Sequence, residues 1–293
     1  MNYSIADIKS LMDLENLEQN FFRGQSQDFG SGNVFGGQVL GQSLVAASRT
    51  LPKGRNSIAH SLHAYFLRPG DMKFPIMYDV DRIRDGRSFD TRRVRAIQHG
   101  RPIFNMSASF QMHEEGFEHQ AEMPSVPGPD SLKSELEIRK SVAARKNLPD
   151  QVKMRFLHER PIETRPVDQD IEHYFTSMEK DPNSHIWIRS EQSLPDDPVL
   201  HQALLAYVSD MSLLGTSMRP HGITFMNPKI QGASLDHAMW FHRPYRIDEW
   251  LLYATDSPSA SGGRGFNRGS IYTQDGILVA SVAQEGLIRY RGS

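Results

Sequence analysis

The residues from Ser234 to Gly286 are a second version of those from Ser61 to Gln111. The first reads SLHAYFLRPGD and, after a strand pair, RSFDTRRVRAIQHGRPIFNMSASFQ; the second reads SLDHAMWFHRP and then RGFNRGSIYTQDGILVASVAQEG. Arg68-Pro69 answers Arg243-Pro244 at an offset of 175, and Gln98-His99-Gly100 answers Gln274-Asp275-Gly276 at 176. Two anchors with nearly equal offsets describe one unit written twice. The period lies well above that of a solenoid or propeller repeat, so the unit is a duplicated domain.

A chain of 293 residues gives each copy enough length to bury its own core. Its 38% hydrophobic and 23% charged content is that of a soluble globular protein. A net charge of -2 arises from nearly balanced acids and bases, which offers no basic field for nucleic acid and no polybasic run for a lipid surface. The absence of cysteine excludes disulfides, thiolate zinc sites and a cysteine nucleophile together. The start, MNYSIADIKSLMDLENLEQ, lacks the apolar core of a signal peptide, no run approaches a membrane span, and the last residues are not a Ser-Lys-Leu ending. The expected address is therefore the cytoplasm.

In chain order, Ser4 to Leu14 reads as a short helix with Ser4 as N-cap, Phe21 to Gln25 as a strand, and Asp28 to Gly32 as a turn. Val34 to Ala47 has helical length but is small or apolar nearly all round, and such a helix must be enclosed. Four strands follow to enclose it: Ala59 to Arg68, Phe74 to Arg84, Phe89 to His99 and Arg101 to His113, with Asp85-Gly86 and His99-Gly100 as turn signals. The second copy repeats the order, with a helix over Leu200 to Leu214 and strands near Ser234 to His242, Trp250 to Ser257, Gly265 to Gln274 and Ile277 to Tyr290. A helix wrapped by an antiparallel meander, twice over, is an α+β tandem (double) hot-dog fold. The expected division is a first domain over residues 1–115, a linker with a surface helix over 116–160, and a second domain over 161–293. The linker holds a Pro-rich stretch, Met123 to Asp130, and a charged amphipathic helix, Ser131 to Arg145, ended by Asn147 and Pro149.

Several site classes are absent. There is no G-x-S-x-G elbow, no H-E-x-x-H, and His60 with His63 is an isolated pair without carboxylates on its strand face. Gly30, Gly32 and Gly36 lack the strand, long helix and following acid of a nucleotide site. Comparing the copies is more informative. Aligning the helices on Gln38 and Gln202 sets Asp210 opposite Ala46; Ser234 falls on Ala59 and Gln284 on Ala108. Gln284 is the polar member of an otherwise apolar strand face that includes Leu278, Ala280, Val282 and Ile288. Three polar residues in one copy thus answer three alanines in the other. A buried carboxylate needs hydrogen-bond partners, and Asp210, Ser234 and Gln284 satisfy one another if the helix end lies over those strands. A water held among them is a nucleophile, with Asp210 as its base. Each residue also has a structural role open to it: Asp210 as a helix cap, Ser234 as a strand-edge hydroxyl, Gln284 as a structural amide. His63 and His237 read as core or rim histidines, and Arg87, Arg92, Arg93 and Arg95 as a solvated strand face.

The motifs FRGQS, VFGGQVLGQ, HAYFLRPGD, HAMWFHRP, RGFNRG, YTQDGILVAS and QEG together resemble the acyl-CoA thioesterase II family, the TesB-type double hot-dog enzymes, over essentially the whole chain. The resemblance implies hydrolysis of fatty acyl-CoA to free acid and CoA, with no cofactor or metal, by a water that an Asp, a Thr or Ser, and a Gln orient. Carried over by motif, these are Asp210 in YVSD, Ser234 in IQGASLDHAMWF and Gln284 in VAQEG. Where relatives often carry Thr, this chain has Ser234, whose rotamer is freer. The resemblance further implies oxyanion donors at a helix start, where Gly36 and Gly37 permit close approach, and a homo-oligomer, dimer or tetramer. Two rivals stand beside it. An enoyl-thioester hydratase or dehydratase of hot-dog type would need a carboxylate and a histidine, His63 or His237. A non-catalytic acyl-CoA-binding module would need neither.

Overall fold

The computed structural model describes residues 8–26, 32–145, 153, 157, 161–169, 178–225 and 227–292. Among them, in order, are α1 (Ile8–Met12), β1 (Glu15–Glu18), β2 (Phe21–Gly24), α2 (Gly36–Ser48), β3 (Ser57–Phe66), β4 (Ile76–Asp85), β5 (Phe89–Gln98) and β6 (Arg101–Met112). Then follow α3 (Glu135–Arg145), β7 (Ile162–Pro166), β8 (Asn183–Ser190), α4 (Pro198–Ser209), α5 (Leu213–Met218), β9 (Ile230–Ser234), β10 (Asp236–Phe241), β11 (Leu251–Ser261), β12 (Arg264–Thr273) and β13 (Leu278–Tyr290). The Ser4 cap, most of the turn expected from Asp28, Gly30, and the helix stop at Asn147 and Pro149 lie outside the described residues.

The strands form one antiparallel sheet in the order β1-β2-β4-β5-β6-β3-β10-β13-β12-β11-β8-β7, with β9 pairing β13 as well. The order reads the same from both ends: β3 answers β10, β6 answers β13, and so outward to β1 and β7. This is the double hot-dog arrangement. The two meanders meet edge to edge where β3 pairs β10, with Leu62 opposite Met239, so the pairing removes two sheet edges at once. The hairpin turns follow local chemistry. His99 and Gly100 both take positive φ, 50° and 69°, as do Gly262 and Gly263 between β11 and β12, which is the geometry a two-residue hairpin requires.

Two helices fill the concave side. Gly37 and Gly41 on α2 let its backbone approach α4: a Cβ on either would lie 2.2 Å from the Tyr207 carbonyl or 2.7 Å from that of Ala203. Leu40, Leu44, Leu204 and Leu205 are fully buried there, in one continuous apolar cluster with Leu62, Phe110, Met239 and Val279 from both copies. Hydrogen bonds tie helix to sheet across the duplication. Gln202 on α4 donates from Nε2 to the Ala59 carbonyl at 2.7 Å and accepts the Ala59 N–H at 3.2 Å, beside an irregularity in β3. Gln42 on α2 donates to the Leu11 carbonyl at 2.7 Å and accepts from the Tyr78 hydroxyl.

The structure differs from the sequence reading in several places. α1 ends at Met12, short of the expected Leu14, and β1, β7, β8 and β9 were not foreseen, since strands of four to eight residues write too little alternation to stand out. The helix expected from Leu200 to Leu214 is broken at Asp210 and resumes as α5. Leu278 is not on the face of Val282: an irregularity in the β12–β13 register sends it outward, against Trp187, Trp250 and Tyr272. Arg92 is not solvated. It is fully buried, donating to Thr50, the Arg84 and Thr91 carbonyls and Asp85, whereas Arg93 and Arg95 do lie outside and pair with Asp81 and Asp79. The segment before α3 straps the outer face of the second meander: Met123, Val126 and Leu132 pack on Trp187 and Trp250, and Trp187 Nε1 donates to the Pro127 carbonyl at 2.9 Å. α3 itself starts with a capping box, Ser134 and Glu137 bonding each other's N–H groups.

Candidate functional site

The end of α4 is set by its own sequence. Ser209 Oγ turns back to the Ala206 carbonyl at 2.8 Å, and Asp210 follows as the C-cap with φ -87° and ψ -8°. The carboxylate leaves the helix at its negative end and points at the positive end of α2, where the Gly37 N–H bonds it. Gly36 leaves room for this approach: a Cβ would lie 2.6 Å from Asp210 Oδ2 and 2.8 Å from the Phe66 ring, so one of those side chains would have to shift. The two copies therefore share this site: its carboxylate comes from the second and its helix start from the first.

Ser234 ends β9, opposite Gly286 on β13. Between the β9 and β10 pairings, Leu235 interrupts the strand while its N–H bonds the Glu285 carbonyl at 2.9 Å. This break turns the Ser234 hydroxyl inward, and it donates to Asp210 Oδ1 at 3.0 Å. Gln284 on β13 is 1% exposed and donates from Nε2 to the same oxygen at 2.6 Å. The three residues singled out by the comparison of copies thus meet at one atom. Their counterparts Ala46, Ala59 and Ala108 are 0–1% exposed in the apolar core.

Burial pushes the Asp210 carboxyl up to about 6, against the opposing bonds from Gln284, Ser234 and Gly37. A carboxylate in that range is a stronger base than an ordinary aspartate and is still ionised at neutral pH. The Gln284 Oε1 is buried and without a partner. An orphaned acceptor beside a base is a place for the hydrogen of a bound molecule. The oxyanion donors expected at Gly36 and Gly37 need one revision: the Gly37 N–H is engaged with Asp210 in this structure.

Two further residues border the trio. His237 is the core histidine its strand position implies, fully buried against Gln284 Nε2 at 3.1 Å and Ser209 Oγ at 2.9 Å. Burial lowers it to about 3, so it is neutral. Its signal was available, since in DHAMWF it alternates with Met239 and Phe241 on the inner face, as Gln284 does on its own strand. Tyr253 donates to the Ser209 carbonyl at 2.9 Å, lying over Gly269, where a Cβ would be 2.3 Å from its ring. His63, by contrast, is on the exposed outer face, with its ring edge against Trp240.

Residues 25–111 match the family model for the acyl-CoA thioesterase N-terminal domain, and residues 151–287 match the one for acyl-CoA thioesterase. Acyl-CoA thioesterase 2 of Haemophilus influenzae is 42% identical over 290 residues, covering 99% of each chain. The chain belongs to the acyl-CoA thioesterase family. Human acyl-coenzyme A thioesterase 8 is 38% identical over 97% of this chain and 89% of its own. Among solved structures, the acyl-CoA thioesterase II TesB2 from Mycobacterium marinum superposes with a TM-score of 0.76 at 43% identity, covering 97% of this chain and 98% of that one. The family likeness therefore spans both copies and the segment between them.

Proposed function

We propose that this acyl-CoA thioesterase hydrolyses fatty acyl-CoA with a water held by Asp210, Ser234 and Gln284. The observation that carries the proposal is the orphaned Oε1 of Gln284 beside a carboxylate whose pKa burial has raised to about 6. A water bridging the two gives one hydrogen to Oε1 and the other to Asp210, which leaves a lone pair directed away from both. As its oxygen bonds the thioester carbon, Asp210 takes the proton and the carbonyl becomes an oxyanion. Collapse of that adduct breaks the carbon–sulfur bond, and the proton on Asp210 returns to the departing CoA thiolate. Ser234 spends its only hydrogen on Asp210 Oδ1, so its role is to hold the base in place.

This chemistry calls for no cofactor and no metal, since carboxylate and water supply base and nucleophile. A hydratase would need a free imidazole near the acyl chain. Both ring nitrogens of His237 are already bonded, and His63 faces outward. Hydrolysis is therefore favoured over hydration of an enoyl-thioester.

The same proposal takes residues 1–115 and 161–293 as the two domains joined by 116–160, in a cytoplasmic protein that assembles as a homo-dimer or tetramer. Among the described residues no helix is long and apolar enough to cross a membrane. Tyr65 and Trp240 are 59% and 36% exposed on strands next to each other, which suits them to burial against a second copy. Light scattering on an eluting column tests the assembly. The activity is tested by following free thiol release from acyl-CoA of graded length in the wild type and Asp210→Asn. Steady release that falls at least about 10²-fold in the folded variant supports the assignment; wild-type turnover in Asp210→Asn overturns it.

A further inference from the structure

An amide side chain has two ends of nearly the same shape and opposite hydrogen-bonding character. Gln284 can offer Oε1 to a water only while Nε2 faces Asp210. Asp210 Oδ1 alone gives one reason for that choice, and the ring of His237 gives the other.

The hydrogen positions follow from the chain of bonds behind it. Ser209 has one hydroxyl hydrogen, and it goes to the Ala206 carbonyl at 2.8 Å. Toward His237, 2.9 Å away, Ser209 can then only accept, so the ring carries its hydrogen on Nε2. That leaves Nδ1 as a bare lone pair, 3.1 Å from Gln284 Nε2. The two hydrogens of the amide are thus both fixed, one on Asp210 Oδ1 and one on His237 Nδ1. With the amide reversed, its oxygen would face a carboxylate oxygen and an imidazole lone pair together. The orphaned state of Oε1 follows from the same assignment.

We propose that His237 is a positioning residue for thioester hydrolysis: through Ser209 and Ala206 it presents Nδ1 as an acceptor that holds the Gln284 amide with Oε1 toward the reacting water. The proposal rests on the water-holding role assigned above to Asp210, Ser234 and Gln284. Both ring nitrogens of His237 are taken by Ser209 and Gln284, so it acts through the amide, and it differs from a merely structural histidine in requiring an acceptor at the Nδ1 position.

The test compares His237→Leu, which has no acceptor, with His237→Asn, whose side-chain oxygen can occupy the place of Nδ1. Folded His237→Leu is expected to lose about 30-fold in kcat with KM within about twofold, and His237→Asn to recover most of that loss. The acid limb of the pH profile should move upward in His237→Leu, because a reversed amide no longer donates to Asp210, and should return in His237→Asn. In a Gln284→Ala background, His237→Leu should cost less than about twofold more, as residues acting through one group are not additive. Wild-type kcat and acid limb in folded His237→Leu, equal damage by Leu and Asn, or full additivity with Gln284→Ala would each overturn it. If His237→Leu does not fold, His237→Ala makes the same comparison without added bulk. Wild-type kcat in Gln284→Ala would remove the underlying mechanism, whereas an impaired Gln284→Ala beside an unimpaired His237→Leu removes His237 alone.

Discussion

His63 and Ala238 face each other across the β3–β10 pairing, and they are also equivalent positions of the two copies, 175 residues apart. A residue paired with its own counterpart marks a twofold axis, so the two halves are related by a rotation through the middle of the joined sheet. Such a rotation would generate two sites, one at each junction of a helix end with the other copy's helix start. Polar side chains meet at one of them, where Ser234 and Gln284 bond Asp210. At the other, Ala46, Ala59 and Ala108 have closed into the core.

That asymmetry has a stability consequence. Placing a carboxylate at Ala46 would bury a charge in a core where Ala59 and Ala108 stand in place of the hydroxyl and amide that hold Asp210, a cost of several kcal/mol. Ala46→Asp is therefore expected to lower the urea midpoint steeply or to prevent folding. The triple variant Ala46→Asp, Ala59→Ser, Ala108→Gln should regain part of that loss if the pseudo-equivalent positions converge as their partners do. A triple variant no more stable than the single one would show that the rotation does not carry side-chain geometry with it.

Asp210 makes activity and stability move in opposite directions with pH. Its folded pKa, about 6, lies above the ordinary carboxylate value of 3.8, so the folded state prefers the protonated form. The associated stabilisation is present in full below the ordinary value and is lost as pH rises through about 6. At neutral pH the ionised group accordingly costs about 1–3 kcal/mol, and Asp210→Asn should melt several degrees higher than the wild type. The difference should shrink toward pH 4. Catalysis runs the other way, since the base must be ionised: kcat/KM should fall about tenfold per unit below the acid limb near pH 6. Melting curves and rate profiles on the same two proteins check both signs.

Ser234 is expected to matter less than Asp210. Removing its hydroxyl in Ser234→Ala leaves Asp210 with Gln284 and Gly37 as donors, so the acid limb should rise while kcat drops about tenfold. Ser234→Thr keeps the donor and stiffens χ1, so its kcat should be equal to or a few-fold above that of the wild type. A Thr variant as slow as the Ala variant would mean that the added methyl collides with the site.

The duplication was legible from its two matched anchors, the enclosed helices from apolar runs of helical length, and most of the longer strands from alternation over ten or more residues. So was the trio, because a repeat supplies its own control: a polar residue stands out where its counterpart is alanine. The short strands β1, β7, β8 and β9 were not, and neither was the break of α4 at Asp210, which depends on a serine bonding back to Ala206 and not on any helix breaker in the sequence. Arg92 was misread for a related reason. Its neighbours Arg93 and Arg95 alternate to the solvent side of the same strand, and alternation of charge with charge conceals that one of them turns inward. The burial of His237 was legible from the alternation in DHAMWF, whereas its contact with Gln284, 47 positions away, needed the third dimension.

Gly41 tests the packing that brings the two copies together without touching the site. It lies on α2 against α4, where a Cβ would be 2.7 Å from the Ala203 carbonyl and 2.9 Å from the Met12 side chain. Met12 can move aside, but a backbone carbonyl inside α4 cannot do so without shifting that helix. Gly41→Ala removes the strain of helical glycine, worth about 1 kcal/mol, yet overpacking of this kind typically costs about 1–3 kcal/mol, so the net expected change is destabilising. The sign decides the matter, because an exposed helical glycine would give the opposite result. Thiol release per folded molecule should also fall, as any outward shift of α2 carries Gly36 and Gly37 away from the carboxylate they abut. A variant with a raised melting temperature and unchanged kcat would mean that α2 and α4 have room between them, and that Asp210 is held by the second copy alone.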